Sequence, residues 1–132
     1  MQRVTLTDYG VDIVFGGPLS RDEAEELFEE LDRTLPPPGS RFGLLVDSRT
    51  MRAYPAAVQT VFKRGIQLCV DRGMERAVVV ADSSIATLQA KRLAKETGTL
   101  AWTRYLDSRS HPDWRRLARA WLLDAIEPDL AS

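Results

Sequence analysis

The chain has a single cysteine, Cys69, and a single histidine, His111, among 132 residues. One thiol excludes an intrachain disulfide, and its apolar position in a helical pattern reads as a buried, inert side chain. One imidazole without companions leaves no Cys/His set of the kind zinc needs. Charge of one sign is also lacking: 18 basic residues face 19 acidic ones, for a formal net charge of -1. That balance gives no overall field toward nucleic acid, and no nucleic-acid partner is expected. No apolar run approaches the roughly 20 residues that cross a bilayer, and the N-terminal Met-Gln-Arg-Val-Thr lacks the apolar core of a signal peptide. No stable membrane insertion is expected, and the default location is cytoplasmic. Gly-x-Gly-x-x-Gly and Gly-Lys-Ser/Thr are missing, which removes the usual phosphate cradles. No cofactor, metal ion or catalytic residue is expected, and the protein reads as a non-enzyme.

Two short apolar runs stand out, each ending in an acid: Phe42-Gly43-Leu44-Leu45-Val46-Asp47 and Ala77-Val78-Val79-Val80-Ala81-Asp82. Each is too short for a helix and rich enough in branched residues for a strand buried on both faces. A helix-period segment, Tyr54 to Arg72, separates them. Strand, helix, strand at this spacing is a βαβ unit and implies a parallel sheet. Upstream, Val4-Thr5-Leu6-Thr7 and Val11 to Phe15 alternate around Asp8-Tyr9-Gly10, the pattern of a β-hairpin. Ser20-Arg21-Asp22-Glu23 is a capping box, and the helix it opens runs to about Leu35, where Pro36-Pro37-Pro38 stops it. Ser83 caps a third helix with Ile85, Leu88, Arg92 and Leu93 at helical spacing, closed by Gly98. Leu100 to Leu106 is a fifth strand. A last helix carries Trp114, Leu117, Ala118, Trp121 and Leu122 on one face, and Pro128 ends it. The reading is an α/β fold in one domain over residues 1–132. Its order is ββαβαβαβα, with a mostly parallel five-stranded sheet and an N-terminal hairpin.

The candidates for chemistry all have plainer readings. Asp47 and Asp82 end neighbouring strands and could hold Mg²⁺ or act as acid and base, but carboxylates there more often cap the turn that follows. Gly16-Gly17-Pro18 leads into an acidic helix whose charge would repel phosphate. Ser110, His111 and Asp113 are too close in sequence to face one another as a triad. Seven acids between Asp22 and Asp32 contrast with five arginines from Arg104 to Arg119, a polarity that could steer a protein partner.

This order resembles the STAS domain, and more closely the SpoIIAA-like or STAS/SEC14 branch of small bacterial proteins. The residues that carry the resemblance are Phe15-Gly16-Gly17-Pro18-Leu19-Ser20, Leu44-Leu45-Val46-Asp47, Arg76-Ala77-Val78-Val79-Val80 and Ala118-Arg119-Ala120-Trp121-Leu122. It implies a regulatory protein–protein interaction module. The phosphorylatable serine of such regulators has no counterpart in Arg52-Ala53-Tyr54-Pro55-Ala56-Ala57, so the resemblance implies protein binding without that switch. The strand-end loops, where STAS relatives meet partners, supply the expected surface: Ser48, Arg49, Thr50, Arg52 and Tyr54, with Ser83 and Ser84. If all helices cover one face of the sheet, the other face is bare. Val14 and Leu45 then lie at its centre, with Thr5, Asp12, Thr103 and Tyr105 toward its edges, and it suits self-association into a homodimer. The alternative function is binding of a small apolar ligand or lipid, as in the STAS/SEC14 type, between the Trp114/Trp121 helix and the sheet.

Overall fold

The computed structural model describes residues 2–131. The strands are β1 (Arg3–Leu6), β2 (Gly10–Val14), β3 (Phe42–Ser48), β4 (Met74–Ala81) and β5 (Thr103–Asp107). The helices are α1 (Arg21–Thr34), α2 (Ala56–Arg72), α3 (Ser84–Thr97), α4 (Trp114–Asp124) and the short α5 (Pro128–Ala131). One five-stranded sheet forms in chain order, β1-β2-β3-β4-β5. The β1–β2 pair is antiparallel and every other pair is parallel. This is the α/β hairpin-plus-parallel-sheet architecture that the pattern implied.

Local chemistry sets most element ends. Ser20 Oγ accepts from Glu23 N at 3.1 Å and Glu23 Oε1 accepts from Ser20 N at 3.0 Å, the reciprocal pair of a capping box. Gly73, with φ of 113°, turns the chain out of α2 in the left-handed region. Three boundaries differ from expectation. The second helix starts at Ala56, not Tyr54: Pro55 is its N-cap, with an extended ψ of 149°, and a proline disfavours the helical region for the residue before it. Leu100–Trp102 is a 3-10 turn, so β5 begins only at Thr103, level with Ala77 of β4. The last long helix stops at Asp124, where Ala125 takes a φ of 55°, and Pro128 opens α5 instead of ending α4.

The helices occupy both faces. α1, α2 and α3 are the crossovers between parallel neighbours in chain order, so a common hand puts them on one side. There Ala24, Leu27, Leu31, Val58, Val61, Cys69, Ala86, Ala90 and Leu93 pack on Val11, Ile13, Phe15, Leu44 and Ala77. α4 follows the last strand and lies on the opposite face. Its Trp114, Leu117, Ala118, Trp121 and Leu122 cover Leu45, Val78, Val80 and Leu106.

The bare face is therefore corrected. Leu45 is only 2% exposed. Thr103 and Tyr105 belong to the α1–α3 side, because they pair with Ala77 and Val79 while Leu106 points to α4. What stays open beside α4 is the β1–β2 portion, where Thr5 is exposed and Asp12 and Val14 are half-buried. The space expected under the tryptophan helix is filled: Leu117 and Ala118 are fully buried there. An apolar cavity of about 100 Å³ lies instead on the other side, between α1–α3 and the sheet.

Candidate functional site

Parallel strands finish at one edge of the sheet, and three of them finish alike. Asp47-Ser48, Asp82-Ser83 and Asp107-Ser108 follow the apolar cores of β3, β4 and β5. Two of these runs continue to arginine and form the same turn. Asp47 Oδ1 accepts from Arg49 N at 3.2 Å and from Arg49 Nε at 2.9 Å, and Oδ2 accepts from Nη2 at 2.9 Å. Asp107 Oδ1 accepts from Arg109 N at 2.9 Å and from Arg109 Nε at 3.0 Å, and Oδ2 accepts from Nη2 at 2.8 Å. Each aspartate thus holds the backbone two residues on and grips the guanidinium as a fork. The hydrogen bond from Arg109 holds Asp107 below the usual carboxylate range. Arg109 also lies 3.1 Å from Asp82 Oδ1, so one arginine ties together the ends of β4 and β5.

The loop after β3 is braced from below. Ser48 Oγ donates to Val80 O at 3.1 Å and lies 3.0 Å from the Tyr54 hydroxyl. Gln89 Oε1 accepts from Tyr54 N at 2.6 Å, and Ser83 Oγ donates to Arg52 O at 2.5 Å. Ser83 also caps α3 by accepting from Ala86 N at 3.2 Å. The loop after β2 closes against this one: a Cβ on Gly16 would stand 1.5 Å from Thr50 Oγ1, so only glycine fits. On the α4 side, Arg49 stacks on Trp114, its guanidinium carbon 4.6 Å from the ring centre.

Between these loops is a cleft of about 760 Å³. Arg49, Thr50, Arg52, Ser83 and Ser84, all expected at the surface of interaction, line it together. Four further residues complete it: Met51, Asp82, Ile85 and Arg109. Ser48 and Tyr54 do not reach it. They are buried at 0% and 3% exposure and act as the floor that holds the loop. Val14 and Leu45 lie elsewhere, the first on the open β1–β2 portion and the second under α4.

Sequence reasoning passed over Arg109 and Ile85. The signal for Arg109 was the repetition of Asp47-Ser48-Arg49 as Asp107-Ser108-Arg109. Ile85 and Leu88 stand at helical spacing with Leu93, yet they are 60% and 66% exposed. The face of α3 that packs is Ala86, Ala90, Leu93 and Ala94, whose small side chains let the helix lie close to the sheet.

The carboxylates at this edge are engaged by arginine. No group of three or more metal-ligating side chains occurs among the described residues. Asp113, the third member of the paper triad, pairs with Arg116 at 2.6 Å. Cys69 lines the apolar cavity, where burial pushes its thiol up to about 12. Among the described residues, no helix is long and apolar enough to cross a membrane. Comparison of the chain with protein-family models, with curated proteins and with solved structures finds no match.

Proposed function

We propose that this chain is a STAS-like regulatory module of the cytoplasm that binds a protein partner through the strand-end cleft and catalyses no reaction. One observation carries the reading: braced arginines and an exposed isoleucine converge on a single cleft at the carboxyl ends of the parallel strands. Open α/β sheets place their sites at that edge. Arginine beside a large apolar side chain is the composition of an interface hot spot, and rigid bracing lowers the entropy lost on docking. The chain-order sheet with its N-terminal hairpin supports the STAS resemblance. A non-catalytic role is supported by Asp47, which is bound to Arg49, and by Asp82 and Asp107, which share Arg109.

The test is a photo-crosslinking residue placed at Ile85 in cells, with a second at Asp124 on the far end of α4 as control. Crosslinked protein is identified, purified and mixed with the wild-type chain and with Arg52→Glu. Binding that requires the cleft and is lost in Arg52→Glu supports the reading. A partner captured equally from Asp124, or one that binds Arg52→Glu unchanged, overturns it.

The apolar cavity favours a second reading, binding of a small apolar ligand. Phe15, Phe62 and Tyr54 pack ring against ring in its lining, and α2 adds Gly65 and Cys69 beside Phe62. A void of about 100 Å³ is smaller than the roughly 150 Å³ apolar cavity known to take benzene, so a lipid chain would need the helices to part. Native mass spectrometry of the purified protein distinguishes the readings: a stoichiometric bound apolar molecule supports this one, and the bare protein mass counts against it.

A further inference from the structure

We propose that copies of this chain dock head to tail, the acidic outer flank of α1 on one copy against the basic outer flank of α3 on the next. The inference goes beyond the docking role given to the strand-end cleft and uses none of the residues that line it.

The two flanks lie at opposite ends of one helix layer. α2 stands between them: its Arg64 meets Glu25 of α1 at 2.6 Å, and its Lys63 meets Glu96 of α3 at 3.6 Å. α1 closes the layer over β1, where Glu30 accepts from Val4 N. α3 closes it over β5, where Lys91 Nζ lies 5.3 Å from the centre of the Tyr105 ring. α1 holds seven acids against Arg21 and Arg33. α2 lends it Arg64 for Glu25 and Arg72 for Asp32. With all four arginines set against the seven acids, three carboxylates still have no countercharge. Asp22, Glu26 and Glu29 are exposed and form no ion pair among the described residues. Glu26 stands one turn before Glu30, so it lies on the β1 side of the helix, away from α2.

α3 has the opposite sign. Its Lys91, Arg92 and Lys95 stand against one acid, Glu96, which Arg92 and Lys63 share at 3.8 and 3.6 Å. Four cations on one carboxylate leave three in excess. Lys91 and Lys95 are exposed and form no ion pair among the described residues. Leu88, one turn before Lys91, continues their stripe, and Leu6 stands on β1 beside the acidic flank; they are 66% and 60% exposed. Each flank thus combines charge of one sign with an uncovered leucine. With α2 in between, the two excesses do not meet inside one molecule, but a second copy brings them together without rearrangement. Opposite signs steer that approach, while α1 on α1 or α3 on α3 sets like charges together. The contact is therefore heterologous and leaves one flank of each kind open at the ends of a row. Exposed ion pairs are individually weak and screened by salt, so the association is weak and salt-sensitive.

The test is sedimentation of the full chain over a range of concentrations, at low salt and at high salt. The expected result is a mean mass that rises with concentration at low salt and returns to that of one chain when salt is added. Glu26→Gln with Glu29→Gln, and separately Lys91→Gln with Lys95→Gln, should each weaken the association about tenfold. An equimolar mixture of these two variants keeps one intact flank of each kind, so it should form a dimer and nothing larger. Exchanging the signs within one chain, by Glu26→Lys, Glu29→Lys, Lys91→Glu and Lys95→Glu together, should restore association at unchanged net charge. Circular dichroism checks that every variant is folded. A wild-type chain that stays single at every concentration and salt, variants that associate as it does, a mixture that stays single, or a sign exchange that does not restore association overturns the proposal. A wild-type chain that stays single yet floats with phosphatidylserine vesicles, and loses this in Lys91→Gln with Lys95→Gln, gives the α3 flank to an anionic membrane and overturns it as well.

Discussion

Leu45 shows how one side chain changes meaning with its surroundings. In the sequence it is the alternate residue of a strand, free to be either exposed or packed. In the fold it lies beneath α4 beside Val78 and Leu117. Leu45→Ala should therefore cost about 2–5 kcal/mol in urea unfolding, the range for a leucine removed from a packed core, and leave self-association unchanged. A cost below about 1 kcal/mol would show that α4 does not cover this face.

Cys69 makes a second case at the same scale. Burial raises its thiol from an ordinary value near 9 to about 12. The folded state thus binds the proton more tightly than the unfolded chain does. The stability linked to this group is complete below pH 9 and is lost as the pH rises toward 12. Thermal melts between pH 7 and 11 should fall at the alkaline end, and the fall should shrink in Cys69→Ala. On the acidic side, Asp8, Asp107, Asp113 and Glu127 are each held low chiefly by a hydrogen bond from an arginine. Their contribution is present above the unfolded carboxylate value and disappears as the pH falls through the depressed one. All four are exposed, so the loss is shallow.

At the scale of elements, both edges of the sheet are guarded. Glu30 Oε1 of α1 accepts from Val4 N at 3.2 Å on the outer side of β1. Arg104 Nη1 donates to Ala101 O at 2.9 Å and to Thr103 O at 3.1 Å at the start of β5. An unpaired edge is a template for another strand, and a charged side chain laid on its polar groups blocks that pairing. Glu30→Ala should leave the Val4 amide open to a second chain. Sedimentation at rising concentration should then show association beyond that of the wild type, with a stability change of no more than about 1 kcal/mol. An unchanged sedimentation profile would mean that another feature protects β1.

The helix α3 is the element whose pattern misleads. It carries two stripes, one of Ile85, Leu88 and Leu93 and one of Ala86, Ala90, Leu93 and Ala94. Hydrophobicity favours the first, whereas close approach of a helix to a sheet favours the second. The branched residues left outside then become part of the surface around the cleft.

For the whole molecule, the expected charge polarity is partly neutralised by pairs. Glu25 of the acidic helix meets Arg64 at 2.6 Å. Of the C-terminal arginines, Arg104 meets Glu127 at 2.7 Å and Arg119 meets Asp8 at 2.8 Å. At the strand ends the fold brings Arg49, Arg52 and Arg109 together from two distant loops, with Asp47 on Arg49 and Asp82 and Asp107 on Arg109.

Local chemistry in the chain was enough for the α/β class, the hairpin, the order of elements, the capping box and the expectation that the loop after β3 and the serines after β4 belong to one surface. These are consequences of periodicity, turn residues and the rule that parallel strands end on the same edge. They hold whatever the rest of the chain does. Tertiary structure alone decided that Leu45 is buried, that Ser48 and Tyr54 are a floor and not a surface, and that Arg109 joins Arg49. The reason lies in α4. The handedness rule governs a helix between two parallel strands, and α4 follows the last strand with no strand after it. Nothing local says which face it takes. Apolar area on the uncovered side of β3, β4 and β5 draws its tryptophan face there, and that choice changes which residues of every neighbouring strand meet water.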